Sequence, residues 1–66
     1  MYRYFVYFDI YAREGRSVGT GNCEIHRYNK IKTYADVEDT SRLIEENKGW
    51  DGKYEVTISN WILFED

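Results

Sequence analysis

The chain has 66 residues, a formal net charge of −3, one cysteine and no proline. That length allows one domain, spanning residues 1–66, with a small core. A lone cysteine excludes a disulfide framework and fits a reducing compartment. The opening run Met1-Tyr2-Arg3-Tyr4 reads as strand, not as a secretory leader. No apolar stretch approaches the ~20 residues of a membrane helix, so a soluble cytoplasmic protein is expected.

The first segment alternates strictly. Tyr2, Tyr4, Val6, Phe8 and Ile10 fall on one side, and Arg3, Phe5, Tyr7, Asp9 and Tyr11 on the other. Period two in aromatic and β-branched residues predicts a strand, and apolar groups on both sides suit a central one. Arg13-Glu14-Gly15-Arg16 predicts the turn, with Gly15 able to take positive φ. Residues 17–28 predict the returning strand. Val18, Thr20, Asn22, Glu24, His26 and Tyr28 share one face, and Gly19, Gly21, Cys23, Ile25 and Arg27 the other. The two glycines leave room for large rings opposite or for a bulge. They do not make a dinucleotide fingerprint, since no third glycine and helix start follow.

A helix is predicted after Thr33. Thr33 is the N-cap and Asp36 the N3 partner of a capping box with Asp in place of Glu. Tyr34, Val37, Ser41 and Ile44, with Thr40 beside them, form its inward face, and Gly49 its stop. Trp50 is expected to cover the helix end. Residues 54–64 predict the last strand, with Tyr54, Val56 and Ile58 inward. After Asn60 the run Trp61-Ile62-Leu63-Phe64 breaks the alternation. A bulge or burial on both faces would account for it.

The expected fold is therefore α+β: one ββαβ domain with a three-stranded antiparallel sheet, order 2-1-3, packed on one helix. The helix covers the face bearing Val6, Phe8, Ile10, Val56 and Ile58. The other face is left open with Phe5, Tyr7, Tyr11 and Trp61 or Leu63. A solvated sheet face should be polar. Large apolar groups there mark an interaction surface, and Phe5, Tyr7, Tyr11 and Trp61 are the residues expected to drive homo-oligomerisation.

Charge is unevenly spread. Residues 1–32 sum to +3, residues 33–52 to −4 and the remainder to −2. Asp36, Asp39, Glu45 and Glu46 on the helix are the candidates for meeting a basic partner. Chemistry finds little support. Cys23 and His26 lie on opposite faces of a strand, and zinc needs four ligands, so no metal or other cofactor is expected. The serines have no nucleophile elbow, and the helix carboxylates have no pocket to tune them, so no enzyme is expected. Arg3, Arg13, Arg16, Arg27, Lys30 and Lys32 beside sheet aromatics suit a single-strand nucleic-acid platform. The pI near 5.0 opposes that reading.

Tyr-Phe-Val-Tyr-Phe at 4–8, Gly-Thr-Gly-Asn at 19–22, Ile-Lys-Thr-Tyr-Ala-Asp-Val at 31–37, Leu-Ile-Glu-Glu at 43–46 and Val-Thr-Ile-Ser-Asn-Trp at 56–61 together resemble short accessory proteins of bacteriophages and prophages. Some of these are anti-defence factors, including anti-CRISPR proteins that dock on an effector and oligomers that sequester a signalling nucleotide. The resemblance implies a non-enzymatic viral protein that inhibits a host protein in the host cytoplasm by occupying its surface. A nucleotide sponge is the alternative within the same class. It assigns no site residue.

Overall fold

The structure, a computed structural model, describes residues 1–64. Three strands, β1 (Tyr2–Ala12), β2 (Ser17–Arg27) and β3 (Tyr54–Leu63), form an antiparallel sheet in the order β2-β1-β3, with one helix, α1 (Tyr34–Lys48), between β2 and β3 in the chain. The order 2-1-3 follows from the apolar character of both faces of β1, which only a central strand can use. Gly15 takes φ 95° in the hairpin turn, where the Ala12 amide and carbonyl bond Arg16 and Gly15.

The helix is held at both ends by the predicted devices. Thr33 is extended and its Oγ1 accepts the Asp36 amide at 3.2 Å, while Asp36 Oδ2 accepts the Thr33 amide at 3.1 Å. Two orphan donors are thereby satisfied reciprocally. At the other end Gly49 adopts the left-handed conformation, φ 71°. The Gly49 and Trp50 amides return to the Glu46 and Glu45 carbonyls at 3.1 and 2.8 Å, a complete Schellman turn.

One side of the sheet carries the core. Tyr4, Val6 and Phe8 from β1, Ile25 from β2, Val56 from β3 and Ile44 from α1 are buried together, with Ile10, Cys23, Ile31, Trp50, Ile58 and Leu63 packed around them. Trp50 stands edge-on to Phe8, ring centroids 6.4 Å apart, and to Tyr54 at 6.1 Å. Gly21 sits opposite Phe8 in the ladder, and a Cβ there would stand 2.8 Å from Phe8 Cζ. Glycine is what lets that ring lie flat against β2. Among the described residues every buried side-chain nitrogen or oxygen has a hydrogen-bond partner. Tyr4 Oη accepts the Ile31 amide at 2.8 Å, and the fully buried Thr40 Oγ1 donates to the Asp36 carbonyl at 2.8 Å and accepts from Arg27 Nη1 at 2.9 Å.

The inward helix face needs one correction. Thr40 and Ile44 are buried and Val37 and Ser41 half-buried, but Tyr34 is 77% exposed. The helix lies toward β3, and Tyr34 lines the outer groove with Glu38, Arg42, Thr57 and Ile58 instead of facing the core.

Candidate binding surface

The second face of the sheet has no helix over it. Along β1 it presents Arg3, Phe5, Tyr7, Asp9 and Tyr11, since side chains two apart share a face. The ladder places Glu24, Asn22 and Thr20 of β2 beside Phe5, Tyr7 and Asp9, and Ile62, Asn60 and Thr57 of β3 on the other flank. The aromatic groups touch one another. Phe5 and Tyr7 meet edge-on with centroids 5.1 Å apart, Phe5 meets Phe64 at 6.3 Å, and the Arg3 guanidinium lies 5.6 Å over the Phe64 ring. Tyr7, Ile62 and Phe64 remain 39, 49 and 40% exposed. Beside them the exposed His26 and Glu24 side chains pair at 2.7 Å.

Of the residues expected on this face, Phe5, Tyr7 and Tyr11 lie on it. Trp61 does not, and neither does Leu63. The register slips between Tyr7 and Phe8: Tyr7 faces Asn60 while Phe8 faces Ile58, so Ser59 is the extra residue of a bulge. Ser59 Oγ donates to the Tyr7 carbonyl at 3.2 Å and holds the bulge in place. One inserted residue reverses every later side chain. Trp61 and Leu63 thus pair with Val6 and Tyr4 on the helix side, and Ile62 and Phe64 take their place on the open face. The polar pair Ser59-Asn60 inside an apolar strand was the available signal for that reversal.

The four helix carboxylates divide. Asp36 is used internally: besides the cap, its Oδ2 accepts the Lys32 amide at 2.9 Å and its Oδ1 lies 3.4 Å from Arg27 Nη2. The Lys32 amide bond, with the Thr33 bonds and the Arg27 charge, holds its carboxyl below the ordinary value. Glu45 is also used, its Oε2 accepting the Val56 amide at 3.0 Å. Asp39 and Glu46 are exposed, with Asp39 bonded to Arg42 at 2.9 Å one turn on. That bond raises the Arg42 guanidinium above its usual value.

The cations do not converge. Arg27 is drawn into the helix start, Arg13 Nε donates to the Gly52 carbonyl at 2.6 Å, and Arg16 pairs with Glu14 at the hairpin tip. Lys30 lies 5.6 Å over the Tyr2 ring, in a cleft with Tyr28 and Lys32. Cys23 and His26 stand on opposite faces, and burial pushes the Cys23 thiol up. Among the described residues no three His, Cys, Asp or Glu side chains gather where a metal could be held, and no helix is long and apolar enough to cross a membrane.

No protein-family model matches the chain, and no curated protein or solved structure does either.

Proposed function

We propose that this chain is a small non-catalytic binding protein that works by surface contact, with the open sheet face as its principal contact surface. The observation that carries this reading is the continuous apolar strip Phe5, Tyr7, Ile62 and Phe64 on a face that no element among the described residues covers. Tyrosine and phenylalanine in mutual contact, ringed by Glu24, His26, Asn22 and Thr57, have the apolar centre and polar rim of a protein interface. The resemblance to phage accessory proteins makes the target a host protein in the host cytoplasm, with defence components foremost. Asp39 and Glu46 are the helix carboxylates left to face a basic patch on it.

The test is affinity capture from host lysate with three immobilised proteins: wild type, Tyr7→Glu, and Asp39→Lys/Glu46→Lys. A partner retained by wild type and lost from either variant is the expected result. The same retained set on all three would defeat the reading.

A second reading rests on the cleft of Tyr2, Tyr28, Lys30 and Lys32, where a lysine already lies over one ring and Tyr28 is 82% exposed. Rings and ammonium groups together suit a nucleotide, as a sponge requires. A thermal shift produced by one nucleotide of a panel, and abolished by Tyr28→Ala, would favour it over the first.

A further inference from the structure

We infer that the outer edge of β2 pairs with the same edge of a second copy, joining two sheets into one antiparallel sheet of six strands about a two-fold axis at Cys23. The inference does not depend on what covers the open face.

The argument begins with where backbone groups point. The Ala12 amide donates to the Arg16 carbonyl on the β2 side of β1, and the Phe64 amide donates to the Arg3 carbonyl on the β3 side. Backbone groups alternate sides along a strand, so even-numbered residues of β1 turn theirs to β2 and odd-numbered ones to β3. The ladder partners of the even-numbered residues are Gly19, Gly21, Cys23, Ile25 and Arg27, which thus spend amide and carbonyl on β1. Thr20, Asn22, Glu24 and His26 turn theirs outward, where none of the described bonds takes them.

Sheets protect a free edge with proline, lysine, a bulge or a covering element. β3 is protected: Glu45 takes the Val56 amide and Asn60 the Trp61 amide. β2 holds no proline and no lysine. Its irregularity lies at the hairpin end, where Ile10 faces Gly19 and Tyr11 faces Ser17, leaving Val18 as an extra residue. From Gly19 to Arg27 the ladder is regular. The helix leans on β3, and beside β2 it leaves a groove of about 220 Å³ lined by Cys23, Glu24, Ile25, Ile44, Asn47 and Lys48.

The symmetry of the regular run names the occupant. Cys23 is its middle residue, and the outward residues lie in pairs on either side. Antiparallel pairing about Cys23 sets Asn22 opposite Glu24 of the other copy and Thr20 opposite His26. The two-fold repeats both, residue i on j and j on i. Each opposed pair exchanges two backbone bonds, about eight in all, and no outward group of the run is left over. The Asn22 side-chain amide is a donor for the Glu24 carboxylate that stands opposite it. On the helix side Gly21 comes opposite Ile25, so the large side chain meets no Cβ. No like charges are directly opposed. An axis at Glu24 would set that carboxylate against its own copy, which repels. An axis at Asn22 would draw the extra Val18 into the ladder and spoil its register.

In strand addition the main-chain bonds supply affinity and the alternate side chains supply register. The regular edge is ~31 Å long. It buries less than the roughly 1,000 Å² of a stable interface, so the pairing is reversible and concentration-dependent. The axis is perpendicular to the sheet. Both helices therefore fall on one side and both open faces on the other, where the two Phe5-Tyr7 strips belong to one wider surface.

The experiment is solution mass by sedimentation and light scattering over a concentration series, with circular dichroism on every variant to establish folding. Wild type is expected to rise from 8.0 kDa toward twice that mass as concentration increases. Asn22→Pro and Thr20→Pro each remove one outward amide and leave the β1 ladder intact, as an edge tolerates. Each is expected to weaken dimerisation tenfold or more. Asn22→Glu opposes two carboxylates and is expected to weaken it similarly, and Asn22→Glu/Glu24→Lys is expected to recover most of the wild-type affinity. A folded double variant that fails to recover overturns the axis at Cys23. A dimer that survives both proline variants, or is lost only with Tyr7→Glu, overturns edge pairing. A wild type that stays at 8.0 kDa up to about 1 mM overturns the second copy. The open-face reading is judged separately, by capture from lysate with Tyr7→Glu.

Discussion

The two faces of β1 are built from the same kinds of residue and end in different states. Tyr4, Val6 and Phe8 are 2, 0 and 3% exposed, whereas Tyr7, on the opposite face and between two of them in the chain, is 39% exposed. Composition does not separate the sides. What separates them is the helix, whose single apolar stripe through Ile44 can cover one face of a sheet and no more. A ββαβ chain has one helix to offer, so the aromatic second face is surface that the helix leaves uncovered.

The sharpest way to test this contrast is to cut a large side chain from each face. Phe8→Ala should cost about 3–5 kcal/mol, comparable with the whole stability of a domain this small. The chain should lose its cooperative urea transition. Tyr7→Ser should cost the monomer only about 1 kcal/mol, through lost strand propensity and the lost edge contact with Phe5. Equal losses for the two would mean that the faces do not differ as described.

The next effect concerns how tightly the closed face is packed. Gly21→Ala drives a methyl group into the Phe8 ring and should cost about 1–3 kcal/mol by chemical denaturation. Phe8→Leu in the same chain should return part of that, with a coupling of about 0.5–3 kcal/mol in a double-mutant cycle. Strict additivity would show that the ring can move aside.

Smaller again is the helix start. Thr33→Ala should cost about 1 kcal/mol in thermal or urea unfolding. Asp36 gives this cap a pH dependence. Its folded pKa lies below the ordinary 3.8, so its stabilisation is complete above that value and is lost as the pH falls through the lowered folded value. Asp36→Asn should flatten the acid limb of the stability profile below about pH 3.8, and an unchanged limb would assign the effect to other carboxylates.

Much of this contrast was legible in the sequence. Strict alternation over Tyr2–Tyr11 marked both faces of β1 and with them the strand order. Thr33, Asp36 and Gly49 announced the helix ends, because caps are local hydrogen-bond arrangements set within four residues. Alternation alone puts Trp61 on the wrong face, because a bulge is a fact about two strands at once. Only the pairing of Tyr7 with Asn60 shows that Ser59 is the extra residue. Arg27 and Glu45 were visible as charges, but the groups they bond lie across the fold, at Thr40 and at the Val56 amide. Pattern along a chain reports which side a residue faces, and it is silent on which distant donor waits there.

The carboxylate of Glu45 on the Val56 amide has a consequence for growth. Together with Asn60, whose Oδ1 accepts the Trp61 amide at 2.9 Å, it spends on side chains two donors along the margin of β3 that another strand would need. The margin of β2 has no such stopper among the described bonds. In the vocabulary of polymer chemistry the β3 margin is partly end-capped toward strand addition. On the β3 side, run-on pairing of strand edges is thereby opposed by a glutamate from the helix and by an asparagine that stands beside Tyr7.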